Sequence, residues 1–392
     1  MNDARGIKKA LMLVSAIDLR EPPSGTLIWW QLFKGLNDLG VDLIVMPFIG
    51  RPVESPWWRC HPNPTMSINK VAYSFVKRMA KKPRGQKTVN FSQYLNMDKM
   101  IGCYIQNKWC SEIDKLFQKE RDIDVVMVFS LPIRPMQRFF RHVRSKWEVP
   151  LVYFEADMPE VLPEYNVFGY SYYQGADLSI FDGYISNSEG VNEVVSQIGA
   201  RNIFSLHYAI DPDIYKPFPR KKNIDVLFSG AGVRGREKWM DKMIFSPART
   251  NLLRIAVSGG WGSNIPEGVE NLGYLPFNRW LHTLCSSKLN LNISRFAHAN
   301  VGKTSTYRIF ELCGLGCAVV TNPHKGIEEW YTHGKEIYVL SEDEDPLEVY
   351  LSLLSDESRL RRIGELARER TLKEHTYSHR ALSLLHYLRS IV

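Results

Sequence analysis

Four stretches of this chain carry residue types whose spacing suits chemistry. The first, KTSTYRIFELCGLGCAVVTN at 303–322, reads as a hydroxyl-rich loop, a helix, a glycine-rich stop and a buried strand. Thr304, Ser305 or Thr306 can cap that helix. A helix N-terminus offers free N–H groups and a positive dipole end, which suit a diphosphate. Arg308 lies one turn in, and Glu311 follows as a carboxylate able to accept two hydroxyl hydrogen bonds from a ribose. The same residues also suit an ordinary surface helix, and spacing leaves the two readings level. The second stretch is FSGAGVRGREKWMDK, where Gly230, Gly232 and Gly235 follow a strand and precede a helix. No acid follows at the distance a nicotinamide dinucleotide needs. Arg234, Arg236 and Lys238 crowd the turn, and guanidinium groups fork onto phosphate oxygens. A phosphate-binding loop is the preferred reading over a solvated one. In the third, REPPSGTLIWW, Gly25 lets a ligand approach the backbone closely, or simply makes a tight strand–helix turn. In the fourth, VPLVYFEADMPE, a buried strand ends in Glu155, Asp157 and Glu160. Carboxylates at the carboxyl edge of a parallel sheet lie where open α/β sheets bind ligands. Asp157, with Glu155 next in line, suits a general base for a hydroxyl. Helix-capping or hinge contacts are the alternative.

These groups need a scaffold, and the pattern supplies one. KKALMLVSA, VDLIVMP, DVVMVFS, VPLVYFE and DGYISN are strand-length and apolar throughout, as in a parallel sheet covered on both faces. Between the first two, TLIWWQLFKGLNDLG has a broad apolar helical face and stops at Gly40. After the polar, proline-containing AIDPDIYKPFPRKKN the pattern restarts with IDVLFSG, LRIAVSGG, LNLNIS, CAVVTN and EIYVL. Helical segments separate several of these: FNRWLHTLCSSK, TYRIFELCGLG and GIEEWYTHG. The expectation is an α/β protein of two Rossmann-like domains, residues 1–212 and 213–375, followed by a C-terminal helix over 376–392. Residues 52–110 are the least defined. They open on PVESPWWRCHPNPT, a proline-rich excursion read as a loop over the cleft or an acceptor element.

Composition narrows the class. A chain of 392 residues, 44% hydrophobic and 23% charged, is globular and long enough for two cores. No run approaches the roughly 20 apolar residues that span a bilayer, and Ala10–Ile17 reads as a first strand rather than a signal peptide. The six cysteines show no CxxC spacing and no accompanying histidine cluster, which argues against zinc and for reduced thiols in the cytoplasm. Net charge is +8, with an acid-free basic run over residues 70–87. That run is a solvated face, or else a contact for an anionic acceptor or the surface of a membrane. No nucleic-acid-binding module is recognisable.

KLNLNISR, TSTYRIFELCGLGCAVVTNPHKGIEEWYTHGKEIYVL and EHTYSHRALSLL resemble, in order and spacing, the GT-B glycosyltransferases, especially the CgeB-like branch. VPLVYFEADMP and NSEGVNEVVSQIGARNIFSLHYAIDPDIYKP extend the likeness into the N-terminal half. The resemblance implies two Rossmann-like domains facing a central cleft, with the C-terminal helix crossing back to the first domain. It implies a nucleotide-sugar donor on the C-terminal domain and an unidentified glycan, lipid or protein acceptor, with no bound metal. Glu311 matches the residue that holds the donor ribose. Arg234, Arg236 and Lys238 lie where such enzymes keep phosphate-binding cations, Tyr274 and Leu275 near the loop that packs on the base, and Asp157 near an active-site His or Asp. One position departs. Retaining members of a related family carry two glutamates separated by seven residues, and eight positions before Glu311 stands Lys303. Retention or inversion therefore stays open, with Lys303 a candidate phosphate contact. A non-catalytic nucleotide-sugar-binding or scaffold protein and a sugar-nucleotide epimerase remain as alternatives.

Overall fold

A computed structural model of the chain describes residues 6–20, 27–68, 70–71, 74, 91–157, 173, 175–232, 235–261 and 265–392, without the side chains of 91–99. The chain forms two compact units, Met1–His207 together with Arg380–Val392, and Tyr208–His379.

The first unit runs β1 (Lys9–Val14), α1 (Leu27–Asp38), β2 (Asp42–Pro47), β3 (Arg59–Cys60), α2 (Phe91–Lys119), β4 (Val125–Phe129), α3 (Ile133–Trp147), β5 (Leu151–Glu155), β6 (Gly183–Ser186), α4 (Asn192–Gln197) and β7 (Ile203–Ser205). The strands make one parallel sheet in the order β3-β2-β1-β4-β5-β6-β7. All five residues of β4 and of β5 are buried, which is why both lack polar alternation. Trp29 and Phe33 of α1 pack on Phe129 of β4 at centroid distances of 4.8 and 5.2 Å. Within residues 52–110 the structure finds the short edge strand β3 and the start of long α2, whose buried Trp109 packs on Phe48 and Phe139. Apolar residues in α2 are interleaved with polar ones, so its sequence does not announce a core helix.

The second unit runs β8 (Ile224–Ser229), α5 (Glu237–Met240, continuing through a π turn over Asp241–Phe245 and a last turn, Ser246–Ala248), β9 (Ile255–Ser258), β10 (Val269–Asn271), α6 (Phe277–Ser286), β11 (Ser287–Asn292), α7 (Phe296–Asn300), α8 (Tyr307–Gly314), β12 (Ala318–Thr321), β13 (Tyr338–Val339), α9 (Pro346–Leu354), α10 (Glu357–Glu374) and α11 (Tyr377–Arg389). Its parallel sheet has the order β10-β9-β8-β11-β12-β13 over a core that includes Phe228, Val257, Leu291, Val320 and Tyr350. The helix expected over GIEEWYTHG is only a short 3-10 turn, Ile327–Glu329. Trp330 and Tyr331 turn inward onto Phe310 instead, and the Tyr331 hydroxyl bonds Thr371 Oγ1 at 2.8 Å. Burial of two large aromatics outweighs the modest gain from one more helical turn.

The chain enters the second unit at Tyr208 and leaves it after His379, where the sequence pattern put those passages at 212/213 and 375/376. From Arg380 onward α11 belongs to the first unit. There Tyr387 stacks on Phe204 at 4.8 Å and bonds Asn202 O. Among the described residues no helix is long and apolar enough to cross a membrane.

Candidate functional site

In the second unit β9 and β11 flank β8 on opposite sides, which makes the carboxyl ends of β8 and β11 the topological switch point of the sheet. Open parallel sheets bind ligands at such crevices. Ser229-Gly230-Ala231-Gly232 leaves β8 here, and Ser258-Gly259-Gly260 leaves β9 beside it. The two loops lie backbone on backbone: Gly230 N donates to Ser258 O (2.9 Å) and Gly232 N to Gly260 O (3.1 Å). At Gly259, with φ of 118°, a β-carbon would come within 2.6 Å of Gly230 O, so only glycine permits the approach. The Ser258 hydroxyl donates to Ser229 Oγ (2.9 Å), which also accepts the Trp280 indole N–H (2.6 Å).

The cations expected on this turn divide. Arg234, like Gly25, lies outside the described residues. Arg236 donates from Nε to Ile293 O (2.6 Å) and from a terminal nitrogen to Ala231 O (3.4 Å), tying the loop after β8 to the end of β11. Lys238 pairs with Glu342 at 2.8 Å and lies over the Trp239 ring. Both are thus engaged with the protein, Arg236 at the switch point and Lys238 toward the loop after β13.

α8 starts after Thr306, whose side chain makes no capping hydrogen bond. Ser305, fully buried, instead accepts the N–H of Tyr208 through its hydroxyl (3.1 Å), and Thr304 O contacts His324 Nε2 (2.8 Å). Burial holds the His324 imidazole down to about 4, so it is neutral at physiological pH. The Ser305 hydroxyl, one of the expected caps, therefore fastens the loop to Tyr208 instead of capping α8. Lys303 adopts a positive φ of 50°, its N–H donates to Lys325 O (2.9 Å) and its ammonium pairs with Glu329 (2.7 Å). Gly326 is required opposite it, since a β-carbon there would lie 3.0 Å from Lys303 Cα.

Glu311 is only 5% exposed. Tyr215 donates its hydroxyl to Oε1 (2.7 Å), and Arg308 pairs with Oε2 (2.7 Å). The Arg308 guanidinium lies 4.6 Å from the centre of the Trp280 ring. Burial pushes the Glu311 carboxyl up, against the opposing pull of the Arg308 charge and the Tyr215 hydroxyl. Among the described residues each oxygen has one protein partner, and a carboxylate oxygen accepts two. Tyr274, expected near a base-packing loop, is 83% exposed, and Leu275, expected beside it, is half-buried.

The acids of the first unit also divide. Glu155 is buried. Its Oε1 accepts from Ser130 Oγ (3.0 Å), Ala156 N (2.8 Å) and Asp157 N (3.1 Å), and its Oε2 from Tyr173 (3.0 Å) and Tyr153 (3.2 Å). Burial pushes this carboxyl up too. Asp157 is exposed just beyond it, and Glu160 lies outside the described residues. Most of the basic run over 70–87 lies outside them as well.

Four residues at these edges were not singled out by the sequence: Trp280, Tyr215, Ser130 and Asp18. Asp18, four residues beyond β1, is buried and takes Arg20 in a two-pronged contact at 2.8 and 2.9 Å. A polar residue closing an apolar run was the available signal for Asp18 and Ser130. Trp280 and Tyr215 look like core aromatics until their partners are seen. A cavity of about 860 Å³ opens near β13 and the loop after β12, lined by His324, Lys325, Glu328, Tyr331, His333 and Glu344 among others; none of the expected site residues lines it. Among the described residues no cluster of three or more His, Cys, Asp or Glu side chains is placed to hold a metal.

Comparison with known proteins bears on both units. No curated protein matches the chain. Residues 236–386 match the family model described as glycosyl transferase-like. Among solved structures, TarM is similar over 98% of this chain and 99% of its own, at 11% identity and a TM-score of 0.67. Sucrose-phosphate synthase from Thermosynechococcus elongatus is similar over 98% and 99%, at 11% identity and a TM-score of 0.64. HepE from Anabaena, in complex with UDP and glucose, is similar over 97% and 99%, at 13% identity and a TM-score of 0.60. At these identities the likeness is one of fold, and it extends over nearly the whole chain: this protein has the two-domain α/β architecture of the GT-B glycosyltransferases.

Proposed function

We propose that this protein is a glycosyltransferase of the CgeB-like branch that moves a sugar from a nucleoside-diphosphate sugar to an unidentified glycan, lipid or protein acceptor, without a resident metal. The observation that carries the reading is the start of α8. A helix N-terminus without a side-chain cap stands at the carboxyl edge of the second sheet, one turn from a buried, ion-paired carboxylate. The positive end of the helix dipole suits the diphosphate, and the remaining acceptor sites of Glu311 suit the ribose hydroxyls. Arg236 and the paired glycine loops border the same switch point. Asp157, exposed after β5, is the proposed general base for the acceptor hydroxyl, and Glu155 holds its backbone. Matches of known glycosyltransferase folds, one of them holding UDP and glucose, support the donor class. We place the protein in the cytoplasm, where free thiols such as Cys60 and Cys103 persist.

A thermal-shift panel of UDP, GDP, ADP, CMP and TDP tests the binding claim. Ligand at 100 times its dissociation constant stabilises by about 2.7 kcal/mol. No shift with any of them sinks the reading. A shift without transfer or hydrolysis of the matching labelled nucleotide-sugar moves the protein to the non-catalytic binding class, for which Lys303, tied to Glu329 where a sugar-contacting glutamate is expected, is the supporting feature.

A further inference from the structure

Trp280, on α6, touches both halves of the proposed donor site. Its indole N–H donates to Ser229 Oγ at 2.6 Å, and Ser229 is the last residue of β8, directly before the glycine loop. Its ring carries the Arg308 guanidinium 4.6 Å from the centroid, and Arg308 pairs with Glu311 at 2.7 Å. One turn earlier on the same helix, Phe277 packs edge-on against Tyr215, whose hydroxyl holds the other oxygen of Glu311. A single helix therefore braces the carboxylate on both of its oxygens and the loop through Ser229.

We propose that Trp280 is a positioning residue that sets the ribose-binding carboxylate against the phosphate-binding loop, so that one nucleoside diphosphate engages both. The inference rests on the donor-site reading above. Its physical basis is the length of the arginine side chain. An unsupported guanidinium samples many rotamers, and an aromatic face in cation–π contact restricts it to the one that meets Glu311. Ser229 is held in the same way: its hydroxyl accepts from Trp280 and from Ser258, which fixes the residue from which the glycine loop departs. Ring face and N–H are chemically separable. Phenylalanine keeps a face and loses the donor; leucine loses both.

The test is calorimetric titration of the full chain with UDP, GDP and ADP and with uridine, guanosine and adenosine, comparing wild type with Trp280→Phe, Trp280→Leu, Ser229→Ala and the Trp280→Phe/Ser229→Ala double variant. In Trp280→Phe the best nucleoside diphosphate loses about fivefold in affinity, the worth of one hydrogen bond, while its nucleoside keeps its own. Ser229→Ala gives the same selective loss, and the double variant loses no more than either single change. In Trp280→Leu the nucleoside weakens as well. Should Trp280→Leu fail to fold, the other variants carry the decision. Equal losses for diphosphate and nucleoside in Trp280→Phe, additive losses in the double variant, or unchanged affinities throughout overturn the positioning role. A wild-type protein that binds none of the three diphosphates overturns the donor-site reading itself.

Discussion

Each unit buries a glutamate near the carboxyl edge of its sheet, Glu155 in the first and Glu311 in the second, and the two are satisfied in opposite ways. Glu155 is surrounded by neutral donors, two backbone N–H groups and three hydroxyls. Glu311 has one phenol and one guanidinium. A buried carboxylate without a countercharge relies on hydrogen bonds alone against desolvation, whereas an ion pair keeps its charge and depends on its partner's placement. The first arrangement suits a brace for the backbone that presents Asp157. The second suits a binding group whose charge and direction must persist when a ligand arrives.

The sharpest way to break this contrast is Asp157→Asn. If the first unit supplies the base, transfer falls by about 10²–10⁴-fold with donor affinity unchanged; wild-type turnover in a steady-state assay would move the base elsewhere. Glu311→Ala is next. Removing one partner of a charged, buried contact costs roughly 1.5–3 kcal/mol, so nucleotide affinity falls by about tenfold to a hundredfold in calorimetry while the first unit's role is untouched. A folded variant with unchanged affinity takes Glu311 out of the site.

Stability against pH sharpens the comparison further. Burial raises the folded pKa of Glu155 above its unfolded value. The folded state therefore binds the extra proton, and the associated stability is full below the unfolded carboxyl value of about 4.3 and lost as pH rises through the folded one. Glutamine keeps an acceptor for Ser130, Ala156 and Asp157 and removes the titration. Urea midpoints for Glu155→Gln should fall less than wild type across that window, the difference growing by at most about 1.4 kcal/mol per pH unit. Parallel curves would show that Glu155 does not titrate there. The smallest expected effect is that of EDTA. If the start of α8 and Arg236 meet the diphosphate charge, transfer continues at an unchanged rate; a chelator-sensitive rate restored by one divalent cation contradicts the metal-free proposal.

Much of this was legible without coordinates. Uniformly apolar segments such as DVVMVFS and IDVLFSG can only be buried strands of a covered sheet, and helices between them dictate parallel βαβ connections. Period and punctuation therefore determined the two Rossmann-like domains. The hydroxyl-rich entry to α8 and the carboxylates after β5 were also visible, because their places follow from where strands end. Only the tertiary structure decided what those groups do locally. Ser305 reads as a cap and instead bonds Tyr208, 97 positions away. Arg236 holds a carbonyl 57 positions away, and Tyr215 reaches Glu311 across 96. The aromatic run after Ile327 reads as helix until Phe310 and α10 offer a surface on which Trp330 and Tyr331 bury. Hydrophobic periodicity is local and fixes which way an element faces. A polar side chain is committed to the nearest partner in space, and that partner is set by how distant segments pack.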